Sequence, residues 1–171
     1  MGGTAIIALF LASAAHEGWV ACHGPQGCLG RVDETPLVSL SAGAMRYDDK
    51  FDASDVYLRY GFNRRYGPFQ PIVGISYTDT GNLWAGVGGA WNLFESNGFY
   101  GEFSVMAGLY DNSGDADLGH PLEFRSGLEL GYEWDNGVRF GLSVDHRSNA
   151  NLGEENPGME TVQLRVSMPL R

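Results

Sequence analysis

From Leu37 onward, apolar and polar side chains alternate in segments of roughly ten residues, and no stretch carries a helical period. Val56, Leu58, Tyr60 and Phe62 alternate with Asp55, Tyr57, Arg59 and Gly61. Leu122, Phe124, Leu128, Leu130, Tyr132 and Trp134 share one parity, against Glu123, Arg125, Glu129 and Glu133 on the other. Successive strand side chains point to opposite faces, so this pattern predicts half-buried strands. Eight are expected, at residues 37–46, 54–62, 69–78, 83–93, 99–110, 122–134, 138–148 and 160–170, the first being the least regular.

Eight antiparallel strands can close into a barrel with either face outward. A soluble barrel encloses its apolar side chains, whereas an outer-membrane barrel turns them to lipid around a polar interior. Strand length and loop asymmetry favour the second, because about 9 to 11 tilted residues cross a bilayer. The links at 63–68, 94–98 and 135–137 are short, and three of the four on the other side (47–53, 79–82, 111–121 and 147–159) are longer. Short periplasmic turns opposite longer external loops are the habit of bacterial outer-membrane barrels. Asp135-Asn136-Gly137 reads as a tight turn, and Phe62, Phe69, Tyr77, Trp91, Phe99, Tyr110 and Trp134 are placed as interfacial girdles. The expected fold is therefore all-β, an eight-stranded antiparallel transmembrane β-barrel of the bacterial outer membrane. A soluble barrel around an apolar ligand and a non-enzymatic adhesion or envelope barrel are the rival readings.

The ends of the chain refine this picture. Ala5 to Ala15 is too short and too isolated to span as a helix, and Ala12-Ser13-Ala14 fits a cleavage site, so residues 1–14 are expected to be a secretory signal although no Lys or Arg precedes the apolar run. Residues 15–36 would be a periplasmic segment and 37–171 the barrel. Cys22 and Cys28 suit a small disulfide loop in an exported chain, and a zinc site with His23 lacks a fourth ligand. A formal charge of −10 excludes nucleic acid as a partner, and the acids gathered at Asp48, Asp49, Asp52, Asp111, Asp115, Asp117, Glu154 and Glu155 read as solvated loop charges.

One break in the apolar parity carries the chemistry. Val138, Phe140, Leu142 and Val144 are followed at the same parity by His146 and Ser148, and Val162, Leu164, Val166 and Met168 are preceded by Glu160. All three polar residues should therefore stand on the greasy side of their strands, where exposing polar groups is costly. His146 and Ser148 are roughly 6.6 Å apart along one strand, within reach of each other's side chains. Glu160 begins the neighbouring strand and can hold the other ring nitrogen. These are the parts of a serine esterase, with Ser148 as nucleophile, His146 as general base and then acid, and Glu160 as the orienting anion. Asn149, Ala150, Asn156 and Gly158 are the candidate oxyanion and substrate-binding donors. Counted from Val138, His146 lies about 20 Å up the wall, near the outer-leaflet boundary. No metal or cofactor enters this reading.

His146-Arg147-Ser148-Asn149-Ala150, then Asn156-Pro157-Gly158 and Glu160, resembles the carboxy-terminal signature of the PagL-type lipid A 3-O-deacylases, which are eight-stranded outer-membrane esterases. The resemblance is specific over residues 146–160 and elsewhere extends to strand count and style. It implies a Ser-His-Glu triad of Ser148, His146 and Glu160 on the barrel's outer surface. It also implies removal of the 3-hydroxyacyl chain ester-linked at position 3 of lipid A. The expected partners are lipid A within lipopolysaccharide and outer-membrane lipid, with a homodimer left open. Two features depart from the family pattern. The chain ends Met168-Pro169-Leu170-Arg171 rather than on an aromatic residue, and the amino-terminal segment carries two cysteines.

Overall fold

A computed structural model describes residues 15–170 except 17, 26, 48, 49, 112 and 115, and the backbone alone of 51 and 52. The expected signal segment, residues 1–14, lies outside the described residues. Eight long strands form the wall: β2 (Leu37–Tyr47), β3 (Lys50–Gly61), β5 (Phe69–Thr78), β6 (Leu83–Ser96), β7 (Phe99–Asp111), β8 (Leu122–Glu133), β9 (Arg139–Ser148) and β10 (Met159–Pro169). Two short strands, β1 (Arg31–Asp33) and β4 (Arg64–Tyr66), pair with each other at the short-turn end. Antiparallel pairing runs β5-β3-β2-β10-β9-β8-β7-β6, and β6 returns to β5 to close the ring. Closure leaves the wall no unpaired edge, the condition for a sheet to survive in lipid.

The observed strands follow the alternation closely and extend it. β6 runs on to Ser96 through a bulge between Asn92 and Phe94, so its turn shrinks to Asn97-Gly98, where both residues have positive φ (52° and 82°). Two left-handed residues make the tight hairpin turn whose twist matches the strands. A second bulge, between Met45 and Arg46, lets β3 start at Lys50, which removes most of the external loop expected at 47–53. β1 and β4 were not anticipated, because three-residue strands leave no readable period. Cys22 and Cys28 are joined in a disulfide beside a helical turn at 18–23. Their sulfurs are thereby committed, and His23 stacks on Trp19 with ring centroids 3.8 Å apart.

The apolar side faces out. Phe140, Leu142 and Val144 of β9 are 44%, 51% and 49% exposed, whereas Ser143, Asp145 and Arg147 at the alternate positions are buried. This orientation removes the soluble-barrel alternative, which required these apolar residues to point inward. Inside, the charges pair across the lumen. Arg59 meets Glu102 at 2.5 Å, Arg125 meets Asp145 at 3.2 Å, and Arg165 is bonded to Glu129 and, at 2.7 Å, to Ser41. The Arg125 guanidinium lies 3.8 Å from the Tyr57 ring centroid. Above this layer Met45, Tyr57, Trp84, Met106, Tyr110 and Met159 pack in one buried cluster of the lumen. Tyr110 therefore belongs to the interior rather than to the girdle expected of it, and its hydroxyl donates to Ala116 O at 2.9 Å. The aromatic pairs Phe69–Trp91, Phe99–Tyr132 and Tyr132–Trp134, with centroids 5.0 to 5.5 Å apart, gather at the short-turn end.

The outward parity of the wall can be tested at mid-height. Leu142→Arg should destabilise the barrel in vesicles by about 2–4 kcal/mol, the cost of a cation at the bilayer midplane. Reversible denaturant unfolding would read the change.

Candidate active site

β9 and β10 are neighbours, and their register sets Glu160 directly opposite His146. The alternation of each strand has already turned both side chains outward, so pairing alone brings them together. His146 Nδ1 lies 3.3 Å from Glu160 Oε1, with the two side chains 50% and 40% exposed. A carboxylate on Nδ1 fixes the imidazole's tautomer and plane and leaves Nε2 to face the reacting centre. Ser148 ends β9 on the same face, opposite exposed Phe124 of β8. Its hydroxyl has no hydrogen-bond partner among the described residues. The structure thus joins His146 to Glu160 and holds Ser148 on their face without a bond to the ring, a looseness common before substrate is present.

The polar row extends to either side of the His146–Glu160 pair. Ser126 of β8 pairs with His146, and Arg46 of β2 pairs with Glu160, which gives Ser126, His146, Glu160 and Arg46 side by side across four strands. One step toward the short-turn end, the same strands show Leu128, Val144, Val162 and Ala44. Across the barrel, the outward positions of β5 to β7 run apolar from Phe69 to Tyr77, from Leu83 to Trp91 and from Phe103 to Leu109, and polar residues come at strand ends, Ser96 on β6 and Asp111 on β7. The adjacent polar row belongs to β2, β8, β9 and β10. Neither Ser126 nor Arg46 was singled out from the sequence. Both break the apolar parity of their strands as His146 does, but Arg46 sits on the least regular strand.

Beyond Ser148 the chain folds back on itself at once. Ala150 and Asn151 have φ of 53° and 61°, and Leu152 N donates to Asn149 O at 3.1 Å, closing a turn with two left-handed central residues. An alanine there carries strain of about 1–2 kcal/mol, which the surroundings must offset. Asn149 supplies the offset. Fully buried, its Nδ2 donates to Leu118 O at 2.8 Å and to Glu155 O at 2.7 Å, while its own N–H reaches Asn156 Oδ1 at 3.0 Å. Asn156 Nδ2 is bonded to Asn151 Oδ1 at 3.1 Å. The donors of Asn149 and Asn156 are therefore spent within the loops. The N–H groups of Ala150 and Gly158 make no hydrogen bond among the described residues. Gly158 also has a steric part: at φ 75° a Cβ there would lie 3.1 Å from His146 Cε1. Among the loop acids, Asp79, Asp111 and Asp117 each accept a backbone N–H, at 3.0, 3.0 and 2.8 Å.

Residues 55–169 match the family described as lipid A 3-O-deacylase (PagL). The chain belongs to the PagL family. A lipid A deacylase PagL of Bordetella bronchiseptica is 35% identical over 68 residues, which is 39% of this chain and 38% of that protein. That match thus spans about two fifths of the relative's length. The crystal structure of the outer membrane enzyme PagL superposes with a TM-score of 0.63 at 20% identity, over 78% of this chain and 99% of that one. A de novo designed transmembrane β-barrel gives a TM-score of 0.58 at 11% identity, over 81% of this chain and all (100%) of the design. These likenesses show the fold. A PagL-family barrel with this apolar exterior resides in the bacterial outer membrane. In this PagL-family chain the polar row sits where the external loops begin, and two cavities of about 350 and 320 Å³ open at the other end, around Glu34, Arg65 and Arg139 and beside the disulfide loop.

Asn149 ties the loop at 149–158 to the one at 112–121. Asn149→Ala would leave two loop carbonyls without their donor, at about 1–3 kcal/mol of local stability. Limited proteolysis should then cut residues 149–158 markedly faster while the barrel band stays intact.

Proposed function

We propose that this protein is an outer-membrane serine esterase that removes the ester-linked 3-hydroxyacyl chain at position 3 of lipid A. The observation that carries the reading is the Glu160–His146 pair on the lipid-facing wall, with Ser148 two residues on along the same face. A polar row at that place is costly unless it works. Family membership and the PagL relative supply the substrate class: lipid A, the glycolipid of the outer leaflet, whose esters lie at the depth of this row.

In this reading His146 Nε2 takes the proton of Ser148 Oγ as that oxygen attacks the ester carbonyl carbon. Glu160 steadies the imidazolium that results. Negative charge gathers on the carbonyl oxygen, and the N–H groups of Ala150 and Gly158, which no described residue accepts from, are the donors assigned to receive it. The side chains of Asn149 and Asn156 shape the loop that presents them. The tetrahedral adduct collapses when His146 gives its proton to the departing sugar oxygen, leaving the 3-hydroxyacyl group on Ser148. Water then attacks the acyl-enzyme with His146 as base, which releases the hydroxy acid and restores Ser148. The row stands on a convex wall rather than in a cavity, so the bilayer itself holds the acyl chain being cut.

Ser148→Ala should give a folded barrel whose release of 3-hydroxy fatty acid falls to background, read by mass spectrometry of lipid A from cells and by assay of purified protein in lipid. Glu160→Gln should lower kcat by roughly 10⁴-fold, as expected when the imidazole's anchor is neutralised. Undiminished release from the Ser148 variant would remove that residue as the nucleophile. Gly158→Ala tests the imidazole's seat. A Cβ 3.1 Å from His146 Cε1 should displace the ring and cut kcat, with heat-modifiable gel mobility unchanged.

A further inference from the structure

We propose that Arg46 is a positioning residue for this site, holding one oxygen of Glu160 so that the other stays on His146. The inference rests on the esterase reading and adds to it a member from a third strand. Glu160 lies in register between two partners, His146 on β9 and Arg46 on β2. Its Oε1 lies 3.3 Å from His146 Nδ1, and its Oε2 lies 3.5 Å from Arg46 Nη1. A carboxylate gripped by two cations or donors on opposite sides cannot rotate about its last torsion without breaking both contacts. That torsion is otherwise soft, since terminal sp³–sp² rotors have broad wells. A Glu with 40% of its side chain exposed would then spend time turned away from the ring.

The local backbone serves the same end. Register between β2 and β3 shifts between Met45 and Arg46, with Met45 opposite Ala53 and Arg46 opposite Phe51. The extra residue is on β3, at 52, so β2 keeps its alternation through Ala44, Met45 and Arg46 and carries Arg46 outward in unbroken register with Glu160. Outward positions of β2 below Arg46 are Ala44, Ala42 and Leu40, so Arg46 is the residue of this face in register with Glu160. Charge balance adds a reason: the guanidinium offsets a carboxylate that otherwise stands beside hydrocarbon on the lipid-facing wall.

The experiment compares R46Q, R46K, E160Q and the double variant R46Q/E160Q as purified full chains in lipid, with lipid A as substrate and barrel folding checked by gel mobility. R46Q should lose about 10- to 100-fold in kcat, the usual effect of removing the partner that orients a working group, with KM within twofold of wild type. R46K, which keeps the charge, should recover most of that loss. The double variant should be no slower than E160Q alone, because Arg46 acts through Glu160. A raised KM at unchanged kcat would overturn the assignment and make the guanidinium a contact to the lipid phosphates. Losses that multiply in the double variant, or an R46Q enzyme as fast as wild type, would overturn it too. If R46Q fails to fold, the R46K and E160Q arms decide: an R46K enzyme slowed through KM alone overturns the assignment. An inactive wild-type chain would sink the esterase reading itself, whereas an active wild type indifferent to R46Q sinks this proposal alone.

Discussion

The register between β9 and β10 is the constraint on which the site depends. A slip of two residues would preserve every outward apolar side chain and every inward charge, yet it would carry Glu160 one step away from His146. Parity alone therefore cannot make the pair. What pins the register is inside the barrel, where every wall strand but β6 contributes a charged or polar group with a partner on a different strand. Arg165 reaches back to Ser41 of β2 and across to Glu129 of β8, and Gln163 bonds Asp55 of β3 at 2.6 Å. Sliding β10 would break these contacts together. The outer face, which carries the His146–Glu160 pair, is held in place by the inner face.

That division of labour follows from the solvent. In lipid there is no hydrophobic gain in packing one outward side chain against another, so the exterior of a small barrel has little with which to fix geometry. The interior can use charge, hydrogen bonds and the packing of Trp84 and Tyr57 against Arg125, Arg147 and Arg165. Arg147 shows the coupling most directly. Standing between His146 and Ser148 in sequence, it points inward and donates to Ser76 Oγ at 2.9 Å, with its guanidinium 5.2 Å from the Trp84 ring centroid. Anchoring the residue between them holds the two outward side chains at fixed height and spacing.

Much of this was legible in the sequence, and the limits are physical. Period-two alternation is unaffected by tertiary context when one face meets lipid, so all eight wall strands, the direction of Phe140, and the exposure of His146, Ser148 and Glu160 could be read without coordinates. Strand ends could not. The bulges at Met45/Arg46 and Asn92/Phe94 each insert one residue and reset parity, so β3 and β6 run further than alternation suggests. Tyr110 misled for a related reason: it obeys the inward parity of β7, and only its place near a strand end recommended it for a girdle. The sequence also cannot tell a donor that faces a substrate from one already engaged. Asn149 looked suited to an oxyanion because it follows Ser148, but its odd parity turns it inward, and its hydrogen bonds go to Leu118 and Glu155.

Parity breaks deserve to be read across strands as well as along them. Glu160, Arg46 and Ser126 are each a single polar residue on an otherwise apolar strand face, and His146 shares its face with one other, Ser148. On one strand such a residue is unremarkable, since the membrane interface tolerates polar groups near strand ends. Four in adjacent register are different, because each occupies a site next to another of complementary chemistry. In this barrel the exterior row also coincides with two local departures from ideal geometry, the bulge beside Arg46 and the left-handed alanine at 150. Strain and misplaced polarity both lower stability. Their convergence on one edge of the wall supports reading that edge as a working surface rather than as decoration of the barrel.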